Sequence, residues 1–121
     1  MMLVRNILLA IKSPPYGSGK AAEGFRLATA MIAMDVLPQI LFIDDGVYCL
    51  ISDQKPEVAG FVSFEERLKT LADLVGLFAV SESLKQRKLR SADLDGNFNI
   101  KMISLDETAR LFSQNNILIT F

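Results

Sequence analysis

Apolar residues occur in five short runs along the chain, and polar segments separate each run from the next. Leu3–Ile11 contains only Arg5 and Asn6 as polar residues, and Pro38–Ile43 forms a second run. The remaining runs are Leu77–Val80, Ile100–Ile103 and Ile117–Phe121. Runs that are apolar throughout, rather than alternating with polar residues, are typical of parallel strands covered on both faces. The pattern therefore predicts five buried strands.

The segments between these runs carry signals for helices. Lys20–Met34 is rich in alanine and also contains Gly24. These small residues predict a helix that lies close to the sheet or to another subunit. Ser63 and Ser104 each stand three residues before a glutamate, which is the capping-box pattern that begins a helix. Ser81 is the predicted cap of a further helix, and Gly76 the predicted end of the one before it. The predicted helices cover Lys20–Met34, 63–74, Glu82–Leu89 and Thr108–Ser113.

Two shorter features complete the predicted order of elements. Val47–Ile51 predicts a helical turn or short helix, and Asp95-Gly96-Asn97 predicts a turn before the fourth strand. Phe61 is expected to begin a new element. Strands that alternate with helices predict an α/β fold with a parallel sheet and helices on both faces. Because no repeat or linker interrupts the pattern, residues 1–121 are predicted to form one domain.

The hydrophobic content is high for a small soluble protein, at half of all residues and a mean hydropathy of +0.30. No uninterrupted apolar run approaches the roughly 18 to 20 residues that a membrane-spanning helix needs. Arg5 interrupts the first run and no small-residue cleavage pattern follows it, so the N-terminus does not resemble a signal peptide. We therefore assign the excess of apolar residues to an extensive core and a subunit interface.

Charge and residue usage argue against several classes of function. Lys and Arg total 13 against 14 Asp and Glu, whereas a dedicated nucleic-acid binder normally has a basic excess. The chain has no histidine, which is the most common transition-metal ligand and neutral-pH base. Its only cysteine, Cys49, permits neither an internal disulfide nor a cysteine-cluster metal site. We predict a cytoplasmic protein with no metal, no cofactor, no direct DNA binding and no membrane attachment.

The segment Gly17-Ser18-Gly19-Lys20 lies between the first strand and the first helix, where phosphate-binding loops occur. A P-loop needs G-x-x-x-x-G-K-[ST], but Pro14 stands at the first glycine position and Ala21 at the hydroxyl position. Pro14 and Pro15 also remove two backbone donors from the loop. The favoured interpretation is a glycine-rich turn without a nucleotide, and anion binding at the helix N-terminus stays open.

The second strand ends in Asp44-Asp45-Gly46, two carboxylates and a turn glycine. Loops at the carboxyl ends of strands are where open α/β sheets build their sites. Adjacent residues leaving a strand usually point apart, which disfavours a paired metal or acid/base site. We favour one carboxylate capping the following turn and the other in solvent. The predicted pocket at the strand ends comprises Tyr16, Gly17, Asp44, Asp45, Gly46 and Ser81.

Cys49 is a weak candidate for a reactive thiol. Reactivity requires a pKa lowered by a cation or a helix N-terminus. Its sequence neighbours Tyr48 and Leu50 are apolar, and the nearby Asp44 and Asp45 would raise the pKa of the thiol. A buried, inert cysteine is the favoured interpretation.

A basic cluster follows the third predicted strand. Its members are Lys85, Arg87, Lys88 and Arg90. No interleaved aromatic residues support stacking on nucleic-acid bases. The cluster is interpreted as a solvated helix face, with contact to a partner protein or tRNA as the alternative.

Several short motifs occur in order along the whole chain. They are Pro14-Pro15-Tyr16-Gly17, Glu23-Gly24, Phe42-Ile43-Asp44-Asp45-Gly46-Val47, Gln54-Lys55-Pro56, Gly76-Leu77, Ser83-Leu84-Lys85-Gln86-Arg87 and Asn116–Phe121. The segment Asp45-Gly46-Val47 followed by Gln54-Lys55-Pro56 carries the most weight. In this order and at this length, the chain resembles the DsrE/DsrF-like family, most closely its DsrF/TusC branch.

The resemblance implies a three-layer α/β/α fold with a five-stranded, mostly parallel sheet. It also implies trimers or hexamers, either homomeric or with DsrE/TusD-like and DsrH/TusB-like subunits, that relay persulfide sulfur in tRNA thiolation or sulfur oxidation. In the DsrE/TusD branch a cysteine after the third strand carries the persulfide, but the matching stretch here, Phe78-Ala79-Val80-Ser81, has no thiol. Cys49 stands where the family pattern has no cysteine. The DsrF/TusC branch is regarded as the non-carrier subunit, which agrees with this departure.

Three functional hypotheses follow from these observations. The leading one is a non-carrier, DsrF/TusC-like subunit of a cytoplasmic sulfur-relay complex, without independent catalysis. The second is a homo-oligomeric sulfurtransferase that carries persulfide on Cys49. The third is a small-molecule or anion-binding protein that uses the Tyr16–Lys20 turn and Asp44–Gly46.

Overall fold

Five parallel strands form one sheet in the computed structural model, which describes residues 6–59 and 63–121. The strands are β1 Ile7–Ile11, β2 Gln39–Phe42, β3 Leu77–Val80, β4 Lys101–Ile103 and β5 Ile117–Thr120. Their order across the sheet is β4-β3-β2-β1-β5. On β1, Leu9 is in register with Ile40 of β2 on one side and with Ile119 of β5 on the other.

Helices cover both faces of the sheet, which gives three layers. They are α1 Lys20–Ala33, α2 Glu65–Leu74, α3 Ser81–Gln86 and α4 Leu105–Gln114. Phe25 of α1 and Leu71 of α2 belong to the larger core cluster with Leu9. Leu111 of α4 belongs to a second cluster with Leu8 and other residues of alternate strand positions. Because successive strand residues point to opposite faces, α4 covers the face opposite α1 and α2.

The sequence predicted the class and order of the elements correctly. The α/β fold with a five-stranded parallel sheet is confirmed, and β3 and its bounds match the prediction. The helical turn predicted at Val47–Ile51 is a 3₁₀ helix over Asp44–Leu50, named the strand-end helix below. Leu3–Arg5 of the predicted first strand, and Phe61, lie outside the described residues.

The small residues of α1 divide between the core and the surface. Ala21, Gly24 and Ala28 are buried, whereas Ala30 and Ala33 are exposed. A Cβ atom on Gly24 would lie 2.6 Å from the Ile11 Cδ1 atom, so α1 lies against the sheet at this point. The prediction of a close approach to the sheet is confirmed for that face of the helix.

Of the two predicted capping boxes, one is confirmed and one is wrong. The Ser104 hydroxyl accepts a hydrogen bond from the Glu107 N–H at 3.1 Å, and the box is complete. The α2 helix instead begins one residue later than predicted, with Phe64 at its N-cap. The Ser63 hydroxyl accepts from the N–H of Glu65, the next-but-one residue, and this two-residue turn replaces the predicted contact with Glu66.

The predicted limits of two other helices also need correction. Ser81 is the first residue of α3 rather than its cap, because its hydroxyl bonds elsewhere. The helix ends at Gln86 rather than Leu89, since Lys88 adopts a left-handed φ of 57°. Gly76 is not a left-handed C-cap, because Val75 already leaves α2 in an extended conformation with φ −135°.

Gly46 lies directly on the carboxyl end of β1. An ideal Cβ atom built on Gly46 would overlap the Ile11 carbonyl oxygen, with the Ile11 carbonyl carbon at 2.7 Å. The same carbonyl oxygen accepts a hydrogen bond from the Ile43 N–H at 3.1 Å, which fixes it in place. The strand-end helix therefore needs a residue without a side chain at this position.

We predict that Gly46→Ala destabilises the protein markedly. The added methyl group cannot be accommodated without moving the strand-end helix away from β1, and overpacking of this kind costs about 1–3 kcal/mol or more. Urea unfolding measures the change in the free energy of unfolding. Gly96→Ala is the matched control, because a Cβ atom there meets nothing within 4 Å. Equal stability of the two variants would contradict the close contact.

Candidate functional site

The six residues predicted to form a pocket at the strand ends separate into two groups. Asp44, Asp45 and Gly46 lie on the strand-end helix and Ser81 begins α3, so these four follow β2 and β3. Tyr16 instead stacks on Phe64 next to α2, with ring centroids 5.5 Å apart. Gly17 lies in the β1–α1 loop with a φ of 106°. Hydrogen bonds therefore join the carboxyl ends of β2, β3 and β4, whereas Tyr16 and Gly17 follow β1, and Tyr16 shares a small cavity with Cys49 of the strand-end helix.

The strand-end helix is joined to α3 by both of its acidic residues. Asp44 has a left-handed φ of 53°, and its N–H donates to the buried Ser83 hydroxyl at 3.0 Å. The Asp45 carboxylate accepts from Arg87 Nε and pairs with Arg87 Nη2, each at 3.0 Å. Neither carboxylate caps the following turn, so the predicted capping role is wrong. Arg87 also donates to the Ser83 carbonyl at 3.1 Å, which holds its guanidinium in one orientation.

Ser81 and Glu82 connect the end of β3 to the end of β4 and the start of α4. The Ser81 hydroxyl lies 2.7 Å from Glu82 Oε1 and 3.1 Å from the Ile103 carbonyl oxygen. The second carboxylate oxygen of Glu82 accepts from the Leu105 N–H at 2.8 Å. Leu105 is the first residue of α4, where a helix has unpaired N–H groups and favours a negative charge.

Sequence reasoning missed the role of Glu82. The hydrogen bonds from the Leu105 N–H and from the Ser81 hydroxyl hold the pKa of Glu82 below its usual value. The only signal in the sequence was an acidic residue two positions after the end of a strand. Its partner lies 23 residues away, at a distance along the chain that no local pattern specifies.

Cys49 is buried in the last turn of the strand-end helix and is 4% exposed. Its thiol donates to the Ser13 carbonyl oxygen, with 3.9 Å between sulfur and oxygen. Burial raises the pKa of Cys49 to about 12. The C-terminal end of a helix also disfavours a negative charge. The thiol is therefore almost entirely protonated at neutral pH.

Tyr16 and Cys49 face the same small cavity next to Phe64. Its volume is about 20 Å³, which is room for one water molecule at most. Burial raises the pKa of Tyr16. A persulfide donor of protein size cannot enter a cavity of this volume, so this space offers no route to the sulfur.

The basic cluster and the glycine-rich turn differ from their simplest interpretations. Arg87 is largely buried against Asp45, and Arg90 lies 3.8 Å from Asp93, whereas Lys85 and Lys88 are exposed. The cluster is therefore not one uniform solvated face.

At the start of α1, the side chains of Lys12 and Lys20 line an open recess of about 450 Å³ beside the end of β5. Of the residues that the anion-binding hypothesis names, only Lys20 lines this recess, and the acidic Glu23 lines it as well.

Neither a metal-binding cluster of side chains nor a membrane-spanning helix is present in residues 6–59 and 63–121. No group of three or more carboxylate or cysteine side chains is arranged to hold a metal ion in this part of the chain. Within the same residues, every helix is too short or too polar to span a bilayer.

The sequence pattern of the DsrE/DsrF-like family matches residues 5–121, which is nearly the whole chain. The chain belongs to the DsrE/DsrF-like family. The protein TusC homolog of Vibrio parahaemolyticus is 33% identical over 91% of this chain and 93% of its own length. The intracellular sulfur oxidation protein DsrF of Allochromatium vinosum is 30% identical over 76% of this chain and 69% of its own length.

Two solved structures of low sequence identity to this chain have the same fold. The ychN protein from E. coli superposes with a TM-score of 0.80 at 20% identity, covering 98% of this chain and 100% of that one. A protein of unknown function from Methanobacterium thermoautotrophicum superposes with a TM-score of 0.77 at 14% identity, with the same coverage. At these identities the similarity establishes the fold alone.

Family membership gives the strand-end contacts a context. The resemblance assigns the carrier cysteine of the DsrE/TusD branch to the stretch that ends at Ser81. In this chain the Ser81 side chain hydrogen-bonds to Glu82 and to the Ile103 carbonyl oxygen at the end of β4. Ser81 therefore helps to join the end of β3 to the end of β4. A hydroxyl can make these bonds, but it cannot form a persulfide.

We predict that Cys49 in the folded protein reacts slowly with thiol reagents. Raising the pKa from its usual 9.0 to about 12 lowers the thiolate fraction at pH 8 by about a thousandfold, and burial blocks access further. Modification by Ellman's reagent should be at least about a hundredfold slower in buffer than in urea. The control is the Cys49→Ser, Ser91→Cys variant, whose thiol is on an exposed residue. If the rates of Cys49 modification in buffer and in urea differed by less than tenfold, the burial of the thiol would be contradicted.

We predict a pH-dependent contribution of Glu82 to stability. Because its pKa is lower in the folded state, Glu82 stabilises the fold above its usual value of 4.5, and the effect is lost as the pH falls through the folded pKa. Glu82→Gln should lower the urea midpoint at pH 7, with the difference from the parent protein shrinking below pH 4.5. Asp73→Asn, at an exposed position near the end of α2, is the control. A difference that is constant from pH 7 to pH 3 would show that charge is not involved.

Proposed function

We propose that this protein is a non-carrier, TusC/DsrF-like subunit of a cytoplasmic sulfur-relay complex. Its partners would be a thiol-bearing DsrE/TusD-like subunit and a DsrH/TusB-like subunit, in a trimer or hexamer. The complex would pass persulfide sulfur toward tRNA thiolation or sulfur oxidation. The names of the relatives, TusC and DsrF, support this assignment.

The burial of Cys49 is the observation that carries the non-carrier role. A persulfide carrier first attacks the donor's persulfide as a thiolate, and the acceptor's thiolate then attacks the outer sulfur of the carrier's own persulfide, which releases the carrier as a thiolate. Cys49 is 4% exposed, its pKa is raised to about 12, and it lies at the C-terminal end of a helix. Each of these properties opposes both steps.

The subunit would act by shaping a surface next to the reactive thiol of another chain. Its strand-end surface is formed by the strand-end helix, the start of α3 and the start of α4. The Asp45–Arg87 pair and the Ser81–Glu82 network tie these three elements together. Side chains held by several hydrogen bonds keep their positions when a partner binds, so the surface is organised before assembly.

We predict that the protein gains no sulfur from a persulfide donor. The experiment incubates the purified protein with a cysteine desulfurase and L-cysteine and measures intact mass. The mass should stay unchanged for the parent protein and for Cys49→Ser alike. The Cys49→Ser, Ser91→Cys variant carries an accessible thiol and controls for delivery of sulfur to any exposed cysteine. Co-expression with a DsrE-like chain of the same genome should yield a complex in which that chain alone gains sulfur.

Two other outcomes would favour the competing hypotheses. A mass increase of one sulfur atom that disappears in Cys49→Ser would make this protein a carrier. A thermal shift with nucleotides or inorganic phosphate at millimolar concentration, lost on substitution of both Lys12 and Lys20, would favour the anion-binding hypothesis.

A further inference from the structure

A groove between α1 and α2 lies on the face of the sheet away from α4. It encloses about 720 Å³ and is lined by Arg26 and Ile32 of α1 and by Arg67, Leu71 and Leu74 of α2, among others. None of the contacts described for the strand ends involves these residues. The α1–α2 groove is therefore separate from the surface assigned to the sulfur relay.

The groove has both of its arginines in the half near the helix N-termini, where Ala22 and Phe64 also line it, and apolar side chains at its C-terminal end. Both helices are crossovers of a parallel sheet and run in the same direction. Arg26 precedes Ile32 by six residues and Arg67 precedes Leu74 by seven, so their backbone positions are about 9–10.5 Å apart along each helix axis. The groove thus has the same polarity on both of its walls.

Both guanidinium groups lack an acidic partner in residues 6–59 and 63–121. The ion pairs of these residues involve Lys69, Arg87 and Arg90, and no hydrogen bond of Arg26 or Arg67 is found among them. The one carboxylate that lines the groove, on Glu66, lies 3.7 Å from Lys69. Two arginines without an acidic partner make this half of the groove complementary to carboxylates.

The hydroxyl groups of the groove do not add hydrogen-bond donors. Thr29 donates to the Phe25 carbonyl at 2.9 Å, and Thr70 donates to the Glu66 carbonyl at 3.1 Å. Since both hydroxyl protons are directed into their own helices, neither hydroxyl can donate to a ligand in the groove. Ile32 and Leu71 make the lining beside these threonines apolar. An occupant therefore needs anionic groups at one end and apolar groups at the other.

The apolar surface continues beyond the end of the groove. Met34 is 76% exposed, Leu37 63% and Leu74 49%. All three lie where α1 and α2 end and β2 and β3 begin, and the Ile40 N–H to Gly76 carbonyl bond joins these two places. A small ligand in the groove would leave Met34 and Leu37 in water, whereas a protein segment lying along it would cover them.

We propose that the α1–α2 groove binds another protein subunit of the complex, through a segment that places acidic side chains against Arg26 and Arg67 and apolar side chains against Ile32, Leu71 and Leu74. The inference rests on the proposed function, because it assumes that such a complex forms. It identifies the partner by its chemistry, an amphipathic segment with carboxylates at one end, and it makes the groove an assembly surface.

The experiment measures assembly with partner subunits. The full chain is mixed with the DsrE-like and DsrH-like chains of the same genome, and the dissociation constant is determined by titration with light scattering as a check on size. Arg67→Glu, Arg26→Glu and Leu74→Asp should each weaken assembly at least about tenfold, because charge or polarity is reversed at a buried contact. Arg110→Glu on α4 and Val58→Asp at an exposed position are the controls and should stay within about twofold of the parent.

The possible outcomes distinguish a failure of the groove inference from a failure of the proposed function. If the parent chain does not assemble with these partners, the proposed function fails and the groove inference fails with it. Normal assembly by all three folded groove variants overturns the groove inference and leaves the function in place. Because Arg26 and Arg67 are exposed, their variants test the inference even if Leu74→Asp does not fold. Decanoate bound by the parent chain in native mass spectrometry, and lost in a normally assembling Arg67→Glu, would make the groove a small-amphiphile site instead.

Discussion

The contact between Gly46 and the Ile11 carbonyl is the constraint on which the strand-end surface depends. The chain leaves β2 and must turn across the end of β1, where that carbonyl is already held by the Ile43 N–H. Only a glycine lets the backbone pass this close. Once the strand-end helix is seated there, Asp45 meets Arg87 and Cys49 is buried in the last turn. The inert state of the thiol is therefore a consequence of a backbone contact three residues before it.

The polar groups of this surface are directed toward one another rather than toward a substrate. Ser83 accepts from the Asp44 N–H, Arg87 bonds to both Asp45 and Ser83, and Glu82 bonds to the first N–H of α4. Catalytic sites usually hold groups whose pKa values are poised near neutrality by burial or by like charges. Here the lowered pKa of Glu82 and the raised pKa of Cys49 both keep the group in the state that it already has at pH 7. Such an arrangement suits a surface that positions a partner.

The sequence predicted this fold well because most of its information is local. Apolar runs located the five strands, and the confirmed capping box at Ser104 located the start of α4. The failures are of a different kind. Ser63 and Glu66 had the spacing of a capping box, but the chain entered α2 one residue later, and spacing alone does not specify the entry angle. The Asp45–Arg87 pair and the Glu82–Leu105 bond join residues 42 and 23 positions apart, so only the folded arrangement of strands reveals them.

Two surfaces of this small domain differ in how their charges are satisfied, and the difference bears on assembly. At the strand ends an arginine and an acidic residue already pair within the chain, so these two charges need no partner to neutralise them. In the α1–α2 groove the two arginines are unpaired within the described residues, and the apolar end continues to Met34 and Leu37. An unpaired cation next to exposed apolar area gains from covering both at once, because the apolar burial supplies affinity and the charge selects the partner. By this reasoning the groove would hold the subunit in the complex, and the strand-end surface would face the sulfur in transit.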